Sequence, residues 1–207
     1  MTEKEAEDLC KMIRAGVDLS KKHYPKTKEE LKDLIEELIE KRGNKADLND
    51  IDVSRITDMS HLFADSKFNG DISNWDVSRV VNMRNMFCAS QFNGNISRWD
   101  VSNVEDMELM FAGSQFNGNI SKWDVSRVKN MNGMFFESKF NRDISKWDVS
   151  KVWNMENMFY GSQFNGDISN WDVSGVKNMR WMFWDSKFNG DISKWVKKPK
   201  GYKKDLD

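Results

Sequence analysis

Residues 75–98 read WDVSRVVNMRNMFCASQFNGNISR, and residues 99–122 read WDVSNVEDMELMFAGSQFNGNISK. The second stretch repeats the first at a step of 24. The step continues along the chain: Trp75, Trp99, Trp123, Trp147, Trp171 and Trp195 share one place in the unit, and Ile51 stands one period earlier. Asp52, Asp76, Asp100, Asp124, Asp148 and Asp172 open a DVS triplet in the same register, and SxFN recurs from Ser66 to Ser186. Of the 13 phenylalanines, 12 fill two places in the unit, with Phe136 the exception. A fixed period of this length marks a repeat architecture, in which no unit buries its apolar side chains alone and stacking produces a continuous core.

Within the unit, Ile72, Trp75, Val77 and Val80 follow the apolar spacing of a leucine-rich repeat, and Leu48, Ile51, Val53 and Ile56 match it one period earlier. Trp75-Asp76-Val77 alternates with period two, which predicts a short strand with Trp and Val inward. After Ser78, a candidate N-cap, Val80, Met83, Met86 and Phe87 recur at the spacing of one helical face. FNG or FNR then turns the chain back. Strand, short helix and turn predict an α/β repeat solenoid of leucine-rich-repeat type: short parallel strands on one face, short helices on the other, with an N-terminal helical cap. Trp75, Trp99, Trp123, Trp147 and Trp171 form its structural core ladder.

Three segments follow. Residues 1–47 form the helical cap: Ala6, Leu9, Ile13 and Val17 line one face over residues 3–19, and Thr27 with Glu30 makes a capping box ahead of Leu31, Leu34, Ile35, Leu38 and Ile39, with Gly43 as the stop. Residues 48–195 hold about six units. In residues 196–207 Lys197 replaces the expected Val, and a basic tail follows.

The units WDVSxVxNMxxMFxxSxFNGDIS over Leu48–Trp195, with the lead-in KTKEELKDLIEELIEKRGNKADLNDIDVS, resemble the BspA-like leucine-rich-repeat surface proteins. The resemblance implies a repeat solenoid with a binding or adhesive role, often on bacterial surfaces. The charged start MTEKEAEDL lacks the apolar core of a secretory signal, which sets a cytoplasmic expectation, a phage or mobile-element module among the options, beside that surface location.

The chain has 207 residues, 32 Lys+Arg against 33 Asp+Glu and a net charge of -1, and residues 51–193 carry 15 basic and 18 acidic side chains. This balance argues against nucleic acid as a partner. No apolar run reaches the roughly 18 residues of a membrane span. Cys10 and Cys88 lack metal-ligand spacing, and His23 and His61 sit in no catalytic motif. The reading is non-enzymatic, with no catalytic residue, cofactor or metal site. Calcium along the aspartate row is the alternative to a structural role for it.

The copies also serve as their own comparison. Variation concentrates at the places of Val81, Arg84, Asn85 and Cys88, a stripe opposite the Val/Met/Phe stripe and therefore expected to face solvent. The last copies fill it with Trp153, Glu156, Asn157 and Tyr160, then Lys177, Arg180, Trp181 and Trp184, preceded by Phe136. Aromatic rings mixed with Arg and Lys have the composition of an interface hot spot. Phe136, Trp153, Tyr160, Trp181 and Trp184 are therefore expected to bind a protein partner, oriented by Lys177 and Arg180. Carbohydrate binding by an adhesive surface protein, a tail folded over the rings as a cap, and a self-associating spacer or homodimer are the alternatives.

Overall fold

The computed structural model describes residues 23–199. The helix expected over residues 3–19 and the end of the basic tail lie outside them.

A single helix, α1 (Lys28–Arg42), opens the described chain. Thr27 caps it by accepting the Glu30 N–H on Oγ1 at 3.2 Å, while the Glu30 carboxylate accepts the Lys26 N–H. Gly43, at φ 84°, ends it and returns its N–H to the Ile39 carbonyl at 2.7 Å. Leu31, Ile35 and Leu38 are buried in the same core as the first repeats. Arg42 ties the helix end down through both Asp50 carboxylate oxygens and the Asp47 carbonyl.

Beyond α1 the repeats form a stack of six coils, 51–74, 75–98, 99–122, 123–146, 147–170 and 171–194. Parallel bridges join Asp58 to Asn82, Asn82 to Asp106, Asp106 to Asn130, Asn130 to Asn154 and Asn154 to Asn178, so neighbouring coils sit in 24-residue register.

The expected α/β solenoid does not form. Among the described residues α1 is the one helix, and the parallel contacts are isolated bridges rather than strands. The place read as a strand, Trp75-Asp76-Val77, lies between two turns, closed by Trp75 N–H to the Ile72 carbonyl and Val80 N–H to the Val77 carbonyl. The place read as a helix is a run of turns. Met86, Cys88 and Ser90 donate their N–H groups three residues back, to Met83, Asn85 and Phe87. The intervening N–H groups of Met83, Asn85, Phe87 and Ala89 reach across to the carbonyls of Asp106, Glu108, Met110 and Ala112 in the next coil. Asn85 and Ala89, at φ 55° and 53°, supply the left-handed residues that reverse the chain.

The spacing of the coils gives the reason. Phe87 and Phe111 stack with centroids 5.6 Å apart on this side of the coil, while an α-helix with its side chains is about 10–12 Å across. One helix per coil does not fit that repeat. Met83, Met86, Phe87 and Ser90 are buried nonetheless, because overlapping turns point the same i, i+3, i+4, i+7 set inward as a helix would.

The core is a set of ladders. Trp75, Trp99, Trp123, Trp147 and Trp171 are each about 4% exposed, and each donates its indole N–H to the carbonyl 27 residues back, Trp123 to Ile96 at 3.1 Å. Two phenylalanine columns stack beside them. The asparagine row is a turn ladder: Asn93, Asn117, Asn141, Asn165 and Asn189 each give their N–H to the Oδ1 of the asparagine one coil back.

The aspartate row closes Asx turns. Asp124, Asp148 and Asp172 accept the N–H of Ser126, Ser150 and Ser174, and Asp143 and Asp167 do the same for Ser145 and Ser169. Ser78 is accordingly not a helix N-cap; it donates both its N–H and its hydroxyl to Asp76. The serine hydroxyl and N–H hold Asp124, Asp148 and Asp172 below the usual carboxylate range, and the serine N–H and hydroxyl do so for Asp143 and Asp167.

A carboxylate depressed in the folded state contributes stability above its unfolded pKa, about 3.9 for Asp, and that contribution is lost as pH falls through the folded value. The urea midpoint is therefore expected to hold level from about pH 7 to pH 5 and to fall below about pH 4. A midpoint that is unchanged at about pH 3 would contradict this.

Candidate functional site

Because the coils are in register, residues 24 apart form columns on the outer side of the turn run. One column reads Ala64, Cys88, Ala112, Phe136, Tyr160, Trp184, changing from small to aromatic at the middle of the stack. A second reads Thr57, Val81, Glu105, Lys129, Trp153, Lys177, and a third Ser60, Arg84, Glu108, Asn132, Glu156, Arg180. Main-chain bonds fix them: Lys177 N–H donates to the Trp153 carbonyl at 2.8 Å, and Gly161 N–H to that of Trp184 at 2.8 Å.

Trp153, Trp181 and Trp184 are 45%, 45% and 46% exposed. Phe136 and Tyr160 are half-buried and stack on each other, centroids 4.9 Å apart and 12° from parallel. Lys177 is exposed, and the Arg180 guanidinium lies 4.8 Å from the centre of the Trp181 ring. The structure thus brings the seven residues singled out in the sequence onto one side of the fourth to sixth coils. The four varied places are not uniformly outward, however. Asn85 is buried, with its amide 3.4 Å from His61 Nε2, and Cys88 is half-buried, its thiol pushed up by that burial and by the Asp65 carboxylate.

Trp181 carries a further signature. It occupies φ 53°, the left-handed region that Asn85, Gly133 and Asn157 hold in other coils. A bulky side chain is disfavoured there, at a cost on the order of 1 kcal/mol. Leu109 holds the same strained place in the third coil and lies over Gly133, where an added Cβ would come within 2.5 Å of Leu109 Cδ2.

One neighbour of the site stands out in the sequence only as a departure from the repeat. Lys197 sends its ammonium to the Ser174 and Val176 carbonyls at 2.9 and 3.0 Å, closing that edge of the last coil. With Lys198 it lines a shallow depression beside Lys177 and Arg180. The signal was present as the Lys found where the other units have Val. Outside the site, Val81 of the second coil is 42% exposed.

Charges elsewhere on this side are paired: Arg84 with Glu108, and Lys129 with Glu105 at 2.7 Å. Among the described residues no helix is long and apolar enough to cross a membrane, and no group of three or more His, Cys, Asp or Glu side chains is placed to hold a metal ion.

No curated protein and no solved structure matches the chain. A family model described as "Mycoplasma protein of unknown function, DUF285" matches it twice, over residues 31–137 and 110–204. The overlapping matches span most of α1 and all six coils, and the family is one of BspA-like repeats. The chain belongs to the DUF285 family.

Proposed function

We propose that the chain is a non-enzymatic interaction module that binds a protein through the outer turn face of its C-terminal coils. The observation that carries this reading is the placement of three tryptophans, each almost half exposed, at places whose residue changes from coil to coil, from Thr, Glu, Asn, Gly or Ala to Val, Lys, His, Leu, Cys, Phe or Tyr, so that the common coil does not dictate them. Large apolar rings left in solvent mark interaction surfaces, and Trp and Arg are enriched among the residues that dominate binding energy. Trp181 strengthens the reading, since its backbone is held in a conformation its side chain disfavours. Phe136, Tyr160 and Trp153 supply the rest of the apolar contact, and Lys177 and Arg180 the orienting charge.

The test is a triple variant, Trp153→Ser, Trp181→Asn and Trp184→Ser, compared with wild type both for unfolding and for proteins retained from extracts. The expected result is a variant that unfolds as cooperatively as wild type and has lost at least one protein that wild type retains, a tagged second copy of the chain added to the extract included. Retention of the same proteins by both, or a variant that no longer folds, would overturn the proposal. Wild-type binding to a glycan array that the variant loses would replace the protein partner by a carbohydrate.

A further inference from the structure

The outer turn face has two unlike halves. The first three coils place Ala64, Cys88 and Ala112 in the column where the last three place Phe136, Tyr160 and Trp184. We propose that the face binds a second copy of this chain, docked face to face with its stack reversed, about a two-fold axis lying between the third and fourth coils. This inference rests on the reading of the face as a protein-binding surface, and names its occupant.

In that arrangement each column meets its own reverse, so the first coil faces the sixth, the second the fifth and the third the fourth. The small half then receives the large half: Ala64 lies opposite Trp184, Cys88 opposite Tyr160, and Ala112, itself buried, leaves room opposite Phe136. Val81 lies opposite Trp153, which joins two exposed apolar side chains. Charges match as well. Arg84, bonded to Glu108 in its own chain, faces Glu156, bonded to Asn178 in its own, and Glu105 faces Lys129. Glu105 and Lys129 already pair within one chain, so the reversed copy completes an alternating square of four charges across the axis. Like charges meet within these places once, Asp65 against Asp185, and at the flanking places twice, Lys67 against Lys187 and Arg79 against Lys151, all of them exposed to screening solvent.

A two-fold axis along the stack fails the same comparison. It sets each coil against its own equivalent, so that the aromatic half meets the aromatic half, the small halves leave a gap, and Lys177 and Arg180 of both copies fall at one level. Isologous contacts require a self-complementary patch, and only the reversed arrangement makes this face one. Six coils at about 4.8 Å give a face roughly 29 Å long, one dimension of a standard interface of about 800 Å² per partner.

The experiment is molar mass by light scattering on the full chain, with a charge-swap series. Wild type is expected at twice 24.3 kDa. Arg84→Glu, which sets Glu against Glu156, is expected to give a folded monomer, and Arg84→Glu with Glu156→Arg to restore the dimer. Arg84 and Glu156 lie three coils apart, about 14 Å along the stack, so rescue reports a contact between chains. Ala64→Trp is a second, independent variant. The sixth coil holds Trp at the same place, so the coil accepts the residue, and the variant is expected to be monomeric because its new ring meets Trp184. A monomeric wild type, or a dimer indifferent to both Arg84→Glu and Ala64→Trp, would overturn the inference. Failure of the broader reading is distinct: there the tryptophan triple variant fails to fold or loses no partner, whatever the mass of wild type.

Discussion

Trp123→Ala is expected to lower folding stability by about 3–5 kcal/mol, the range of large-to-small truncations of a buried aromatic. Trp123 lies in the middle of the stack, is 4% exposed, and packs against Phe111 with ring centroids 6.3 Å apart. Truncation leaves a cavity between coils and orphans the Ile96 carbonyl, which accepts its indole N–H. Position adds a second consequence. In a repeat array each unit contacts its neighbours alone, so a weak junction at the centre divides the stack into halves of three coils. Urea unfolding followed by circular dichroism and by tryptophan fluorescence should give transitions that coincide for wild type and separate for Trp123→Ala. A loss below about 1 kcal/mol would mean that the tryptophan column does not hold the coils together.

Leu31→Asp is expected to cost about 3 kcal/mol or more, and to open one end of the stack. Leu31 is fully buried where α1 covers the first coil, beside Ile35 and Leu38. A carboxylate there has no partner to offset its desolvation, and the helix must lift to hydrate it. Lifting α1 withdraws Leu31, Ile35 and Leu38 from the core they share with the first coil and exposes apolar surface on both sides. Binding of a hydrophobic dye below the unfolding transition, absent in wild type, is the expected signature. Glu29→Ala, on the exposed side of the same helix, is the control and should change stability by less than about 0.5 kcal/mol. Dye binding equal to wild type in Leu31→Asp would show that α1 does not cover the stack.

The period and register of the stack were legible because the same types recur at each place. Trp75, Phe87 and Phe92 are buried together with their counterparts one coil on. What the sequence reading took for helices was not separable by apolar spacing, since overlapping turns and a helix both send Met83, Met86 and Phe87 inward. The clue lay instead in residues that tolerate positive φ. His61, Asn85, Gly133 and Asn157 share one place, and Asp65, Gly113, Gly161 and Asp185 another, and all eight are left-handed. Residues of those types recurring four apart fit a run of turns better than a helix interior. The DVS aspartates carried a similar ambiguity, because Asp and Ser suit both a helix start and an Asx turn.

At the outer face, comparison among the copies located Trp153, Trp181 and Trp184, since a place that varies is not dictated by the common coil. It did not locate the burial of Asn85 or the stacking of Phe136 on Tyr160, which depend on the side chain one coil away. Nor did it show the strain at Trp181, which is set by backbone conformation.

That strain allows the most direct test. Tryptophans that serve recognition rather than the fold can be removed without loss, and replacing Trp181 by Asn, the residue the second and fifth coils hold at that place, relieves a disfavoured conformation worth about 1 kcal/mol. The measurement is the urea midpoint of the Trp153→Ser, Trp181→Asn, Trp184→Ser variant beside wild type, both carrying Arg84→Glu so that dimer formation adds nothing to either. A midpoint equal to or above that of wild type is expected. A midpoint lowered as far as that of Trp123→Ala would make these rings part of the structural core, and would contradict the assignment of the outer turn face to binding.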